Sequence, residues 1–191
     1  MQDLDNNSRV LLPVNPWEKH APFAVSASGL TTPLDIRCYI AQAEAQLHTA
    51  IDSGEAEEVE FPTDHSFPPG MYVRSVFLPA GSLLVGKLHR YAHHNYISQG
   101  RVTVLTEAHG LQTLTAPCQM LSPAACKRLI YAHEDTIWTV MHPNTSNTQD
   151  LGLLELEHIA GTYPELGLED PTTLLQQIAL PKVGSLESQG E

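Results

Sequence analysis

The chain has 191 residues, 42% of them hydrophobic, and a formal net charge of −12 from 22 acidic and 10 basic side chains. That length fits one domain with extensions and can bury a core without disulfide or metal staples. The negative charge repels a phosphate backbone and argues against a nucleic-acid partner. No apolar run reaches the roughly 18 residues of a membrane span, and the N-terminus has no basic start followed by an apolar stretch and a small-residue cleavage site, so it does not read as a secretory signal. Cys38, Cys118 and Cys126 are an odd number without CxxC spacing, which predicts free thiols in a reducing, cytoplasmic compartment.

Residues 1–31 are rich in Pro, Ser and Asn and predict an irregular arm or contact segment. A helix follows. Thr32 can cap it, Pro33 fits its first position and Asp35 its first turn. Ile36, Tyr39, Ile40, Ala43, Leu47, Ala50 and Ile51 recur on one face, and Gly54 is a plausible stop. The acidic stretch 55–60 reads as a solvated link. From Phe61 to His142 short apolar runs alternate with turn signals at Pro68-Pro69-Gly70, Pro79-Ala80-Gly81, Gln99-Gly100 and His109-Gly110. Strands are expected at 72–78, 83–89, 95–98, 101–106, 111–115, 118–121, 127–131 and 136–142, which predicts an all-β barrel or sandwich. Asp150 can cap a short helix through Leu151, Leu153, Leu154, Leu156 and Ile159, and Asp170-Pro171 opens another at 172–178. Residues 183–191 are Gly/Ser/Glu-rich and expected to be disordered. The predicted organisation is an arm and helix over 1–60, a β unit over 61–143 and a helical extension over 144–191.

The stretch from Pro79-Ala80-Gly81 to Gly100, with Lys87, His89 and His93 inside it, resembles the first motif of the cupin superfamily, a Gly, an HxH, a Glu and a second Gly. His89 falls on the second histidine of HxH, Lys87 on the first, and His93 where the glutamate stands. Gly110, Pro123-Ala124-Ala125 and Arg128 resemble the second motif, with Ala125 on its second glycine and Arg128 on its histidine. The resemblance covers about 71–143 and implies a single cupin-type antiparallel β-barrel, or jelly roll, in a mainly β protein, with an N-terminal amphipathic helix and short C-terminal helices. It also implies association through sheet faces, with a homodimer as the default. More narrowly, Gly86-Lys87-Leu88-His89, His93, Gly100, Lys127-Arg128 and the run from Tyr131 to Pro143 resemble small single-domain cupins of tailed bacteriophages, a group without a settled function.

Strand pleat places residues two apart on one face. An inward His89 therefore predicts inward Lys87, Val85 and Leu83. His142 goes with Val140 and Trp138, Arg128 with Ile130 and Ala132, and Arg74 with Tyr72, Val76 and Leu78. Two chemistries could arise at the barrel mouth. His89, His93 and His142 supply three imidazoles for a Zn, Fe, Mn or Ni ion with open positions, or they bond backbone and one another at the rim. Arg74, Lys87 and Arg128 suit a small anionic ligand, or they pair internally with Glu107, Glu134 or Asp135. His94 is expected at the surface, His109 and His133 in solvated or structural positions, and His65 over the barrel; His20, His48 and His158 lie outside the barrel segment. The residues do not decide between an enzyme and a binding protein. The rival is an interaction protein, a viral structural or accessory component, suggested by the N-terminal arm and the leucine-rich segment after Asp150.

Overall fold

The computed structural model describes residues 9–11 and 32–175. The first helix, α1 (Pro33–Asp52), begins as its sequence dictates: the Thr32 side chain accepts from the Asp35 backbone N–H and the Asp35 carboxylate accepts from the Thr32 N–H, with Pro33 in the first turn. These contacts answer two amides that a helix start leaves unpaired. Thirteen strands follow or precede it: β1 (Arg9–Leu11), β2 (Glu57–Glu58), β3 (Thr63–Ser66), β4 (Gly70–Leu78), β5 (Ser82–Val85), β6 (Leu88–His89), β7 (His93–Gln99), β8 (Arg101–Thr106), β9 (Gly110–Thr115), β10 (Cys118–Ser122), β11 (Arg128–Ala132), β12 (Thr136–Asn144) and β13 (Ile159–Ala160). Helices α2 (Leu151–His158) and α3 (Pro171–Leu175) complete the described residues, with a 3₁₀ turn at Pro164–Leu166 between them.

Two antiparallel sheets carry the fold, in the orders β2-β1-β5-β11-β8-β9 and β10-β7-β12-β4-β3. Pairing is nested: β4 with β12, β5 with β11, β7 with β10 and β8 with β9. A long hairpin folded over on itself in this way is the jelly-roll solution, which fills its interior from both sheets. Seven of the eight strands expected between 72 and 142 are present as single strands. The extended run expected at 83–89 is broken, however: β5 ends at Val85 and β6 leaves the main sheets to pair with β13.

That break corrects the side-chain directions drawn for this segment. Leu84 faces the space between the sheets with Val76, Leu78, Ile97, Val102, Val104, Ile130, Ala132, Trp138 and Val140. Leu83 and Val85 face outward, against Ile36, Tyr39, Ile40, Ala43 and Leu47 of α1, with Leu105, Leu129 and Tyr131. The chain reverses parity between Val85 and Leu88, so His89 points inward although Val85 does not. The directions expected for β4, β11 and β12 hold. The link at 55–60 is likewise more than a tether, since Glu57 and Glu58 pair with Leu11 and Val10, making part of the arm a strand beside β5. The remainder of 1–31, the end of the helix expected at 172–178, and 183–191 lie outside the described residues.

Candidate functional site

The space between the sheets is a cavity of about 390 Å³, lined by β4 (Tyr72, Arg74, Val76, Leu78), β11 (Arg128, Ile130), β12 (Trp138, Val140, His142) and, from outside the sandwich, α2 (Leu154, Glu155, His158). Asp150 caps α2 by accepting from Leu153 N–H. Its far end is fixed beside β6, where the Arg90 N–H donates to the His158 carbonyl at 2.8 Å and the Arg90 Nε donates to the Ile159 carbonyl at 2.8 Å.

His89, His93 and His142 converge, with ligand-capable nitrogens all within 4.8 Å of one another. Ring centroids lie 3.9 Å apart for His89 and His93, 5.2 Å for His89 and His142, and 4.9 Å for His93 and His142. A fourth ring joins them: His158 stacks on His142 at 4.5 Å. Sequence reasoning set His158 aside as outside the barrel. Its only signal was its place at the end of a capped, leucine-rich helix, and nothing local says that the helix returns to the cavity.

These imidazoles are neutral. Burial holds His89 well below its ordinary value, and the neighbouring Arg128 charge adds to the effect. Burial and then Arg128 lower His93 to about 4. Burial, His93, His158 and Arg128 lower His142 to about 3. His158 is lowered by burial, and the nearby Glu157 charge opposes the shift. Neutral rings are the form that binds metal.

Arg128 is 4% exposed and spans the sandwich. Its Nη1 donates to Asn95 Oδ1 at 2.7 Å and its Nη2 meets His93 Nε2 at 2.6 Å. A guanidinium only donates, so His93 Nε2 accepts, and Nδ1 therefore carries the proton and donates to the Tyr91 carbonyl at 3.1 Å. Trp138 Nε1 donates to the same Asn95 oxygen at 3.0 Å, and its ring lies 5.6 Å from the guanidinium carbon. Lys87 pairs with Glu155 at 2.7 Å, and Arg74 lines the cavity. The acids considered as internal partners are engaged elsewhere: Glu107 with Arg37, Glu134 with Arg101, and Asp135 with the Ala80 N–H.

The remaining candidates separate cleanly. His94 and His109 are exposed. His133 Nε2 bonds Thr103 Oγ1 at 2.7 Å on the outer side. His65, on β3, bonds the Tyr72 hydroxyl at 2.8 Å and lines the cavity edge.

No protein-family model and no curated protein matches the sequence. Among solved structures, an acetylacetone dioxygenase from Acinetobacter johnsonii is similar at 17% identity over 44% of this chain and 58% of that one, with a TM-score of 0.36. KdgF from a Halomonas species is similar at 16% identity over 48% and 89%, with a TM-score of 0.40. An RmlC-like cupin family protein with a double-stranded β-helix fold from Methanocaldococcus jannaschii is similar at 16% identity over 46% and 84%, with a TM-score of 0.38. The fold is a mainly antiparallel β jelly roll. The chain spans about 60% of the two acetylacetone dioxygenases it resembles, 58% and 60% of their lengths.

The donor set suits a transition metal. His89 Nδ1 is buried without a hydrogen-bond partner, and a buried orphan nitrogen is costly unless something answers it. Imidazole nitrogens around a tetrahedral ion stand about 3.3 Å apart, and the three rings here offer nitrogens within 4.8 Å of one another. His93 joins such a set only through Nε2, which Arg128 now holds.

Proposed function

We propose that this protein is a cupin-type pocket protein that holds a divalent transition metal (Zn, Fe, Mn or Ni) on His89, His93 and His142 and seats a small anionic molecule against Arg74, Lys87 and Arg128. The observation that supports this reading above all is the convergence of three neutral imidazoles, His93 and His142 buried and His89 half-buried, beside a cavity that His89 and His142 line. Pockets of this kind, mostly apolar with a few convergent polar groups, are where small molecules bind. A bound ion would supply Lewis acidity or an activated water. The chain's own residues do the rest. Leu78, Leu84, Ile130 and Val140 exclude water, the Lys87–Glu155 pair ties α2 to the cavity edge, and the arginines orient negative charge. Its setting would be the cytoplasm, of a host cell if the chain is viral.

Elemental analysis tests the reading, on wild type and on His89→Ala and His142→Ala, after growth with added Fe, Mn, Zn and Ni. Near-stoichiometric metal in wild type and its loss in both variants are expected. A wild type carrying almost none removes the metal half. A thermal-shift screen of carboxylates, sugar phosphates and nucleotides tests the anion half.

A second reading is a non-catalytic interaction protein, a structural or accessory component of a bacteriophage particle, or a homodimer built on the same surface. Its motive is the outer face of α2, where Leu153 and Leu156 are 55% and 64% exposed. Sedimentation of wild type against a Leu153→Glu/Leu156→Glu variant tests it. A monomeric wild type, with no fixed copy number in purified virions, would count against it. Among the described residues no helix is long and apolar enough to cross a membrane.

A further inference from the structure

Building on the three-histidine reading, we propose that Arg128 couples the two halves of the pocket. Its guanidinium occupies the His93 lone pair that a metal needs, and it releases that lone pair to a carboxylate bound in the cavity, so metal and carboxylate bind cooperatively.

The starting point is a charge without a counter-charge. Arg128 is almost wholly buried, and its hydrogen-bond partners are a neutral amide oxygen and a neutral imidazole. Among the described residues no carboxylate pairs with it: Glu44 binds Lys127, Glu107 binds Arg37, Glu134 binds Arg101 and Glu155 binds Lys87. Burying an ion on neutral acceptors alone is expensive. The Trp138 face offsets part of the cost, and a carboxylate in the cavity that Arg128 lines would offset more, because its two oxygens match the guanidinium fork.

The second point is a conflict over one pair of electrons. His93 Nδ1 is committed as a donor to the Tyr91 carbonyl, so Nε2 is the one nitrogen left to bind an ion. Arg128 holds it at 2.6 Å. A dication arriving alone must displace the guanidinium and leave it beside a second positive charge with no bound anion to receive it. With a carboxylate in place, the guanidinium turns to the anion, the His93 lone pair is freed and the added negative charge answers the metal. The coupling is reciprocal by linkage. Asn95 tolerates the departure, since Trp138 Nε1 still donates to its oxygen.

The test uses the full-length, metal-stripped chain with Co(II) as the metal, read by visible absorption, and hexanoate as the carboxylate. Wild type should bind Co(II) at least ten-fold more tightly at saturating hexanoate, and hexanoate should bind correspondingly more tightly with Co(II) present. Without metal, hexanoate alone should move the His93 Nε2 ¹⁵N resonance toward that of an unbonded lone pair. Arg128→Met should bind Co(II) without hexanoate at least ten-fold more tightly than wild type and respond to hexanoate less than two-fold. Equal Co(II) affinity with and without hexanoate in wild type, or an unmoved His93 resonance, overturns the coupling while leaving the metal site standing. Failure of Co(II) to bind either protein under any condition overturns the three-histidine reading and the coupling with it. The wild-type arms decide the matter even if Arg128→Met does not fold.

Discussion

Acidification is the sharpest probe of the imidazole cluster, and its sign follows from burial. The folded pKa values of His93 and His142, about 4 and about 3, lie below the ordinary 6.5. Above pH 6.5 both folded and unfolded chains hold these rings neutral, and the cluster contributes nothing to pH dependence. Below 6.5 the unfolded chain takes up protons that the folded chain refuses, so stability falls as pH falls, until the folded rings themselves titrate near 4 and 3. At pH 5 the solution lies about 1.5 units below each ring's unfolded value, so refusing the proton costs about 2 kcal/mol per ring at 1.36 kcal/mol per unit. Water in the cavity screens part of this, so the pair should cost about 2 kcal/mol together. His89 and His158 shift in the same direction and add to it. Urea titration of metal-free protein, followed by tryptophan fluorescence at pH 7.5, 6.5, 5.5 and 5.0, should show the midpoint falling by on the order of 1 M across that range. His142→Gln, which cannot titrate, should flatten the curve. A midpoint constant from pH 7.5 to 5.5 would refute the claim that these rings are buried and neutral.

Other expectations concern the turns that aim the site. Gly100 has φ +91°, and a Cβ there would meet Thr136 Oγ1 at 2.3 Å and the Asp135 carbonyl at 2.5 Å; Gly100→Ala should cost on the order of 3–5 kcal/mol, seen as a collapsed urea midpoint or insoluble expression. Ala125 has φ +59° while its N–H donates to the His89 carbonyl at 2.8 Å, so Ala125→Gly should raise unfolding stability by about 0.5–1 kcal/mol; a loss would mean that the left-handed turn carries no strain. Arg128→Met removes a buried charge that no carboxylate answers and should leave the melting temperature unchanged or raised, whereas Asn95→Ala should cost about 2–3 kcal/mol by stranding Trp138 Nε1 and the guanidinium together.

The fold was legible because its signals are local. Gly100 turns the chain between β7 and β8 and Gly110 opens β9, both at positive φ, Thr32 and Asp35 state the start of α1 outright, and alternation along β4, β11 and β12 gives the correct inward faces. Reading failed where a tertiary partner overrides the pattern. The run 83–89, Leu-Leu-Val-Gly-Lys-Leu-His, reads as one strand. In the structure β6 pairs instead with β13, seventy residues on, and the parity change at Gly86-Lys87 turns His89 inward. Glu57 and Glu58 look like solvated linker because an edge strand needs no apolar face, only a neighbour's backbone.

The site divides along the same line. Three of its imidazoles lie in or beside recognisable strands and could be proposed from the motif resemblance and the strand pattern; His158 could not, because its position depends on α2 folding back over the cavity and on Arg90 holding the end of that helix. Arg128 is the more instructive case. From the sequence it is one more cation, to be answered by a ligand or by a nearby acid. Each acid weighed for that role is engaged elsewhere, and the guanidinium faces an amide and an imidazole instead. The burial that keeps four imidazoles neutral, and therefore fit to be ligands, also makes the Arg128 charge expensive. A cavity that leaves those rings unprotonated beside a fixed cation has one cheap way to accept a dication, which is to accept a negative charge with it.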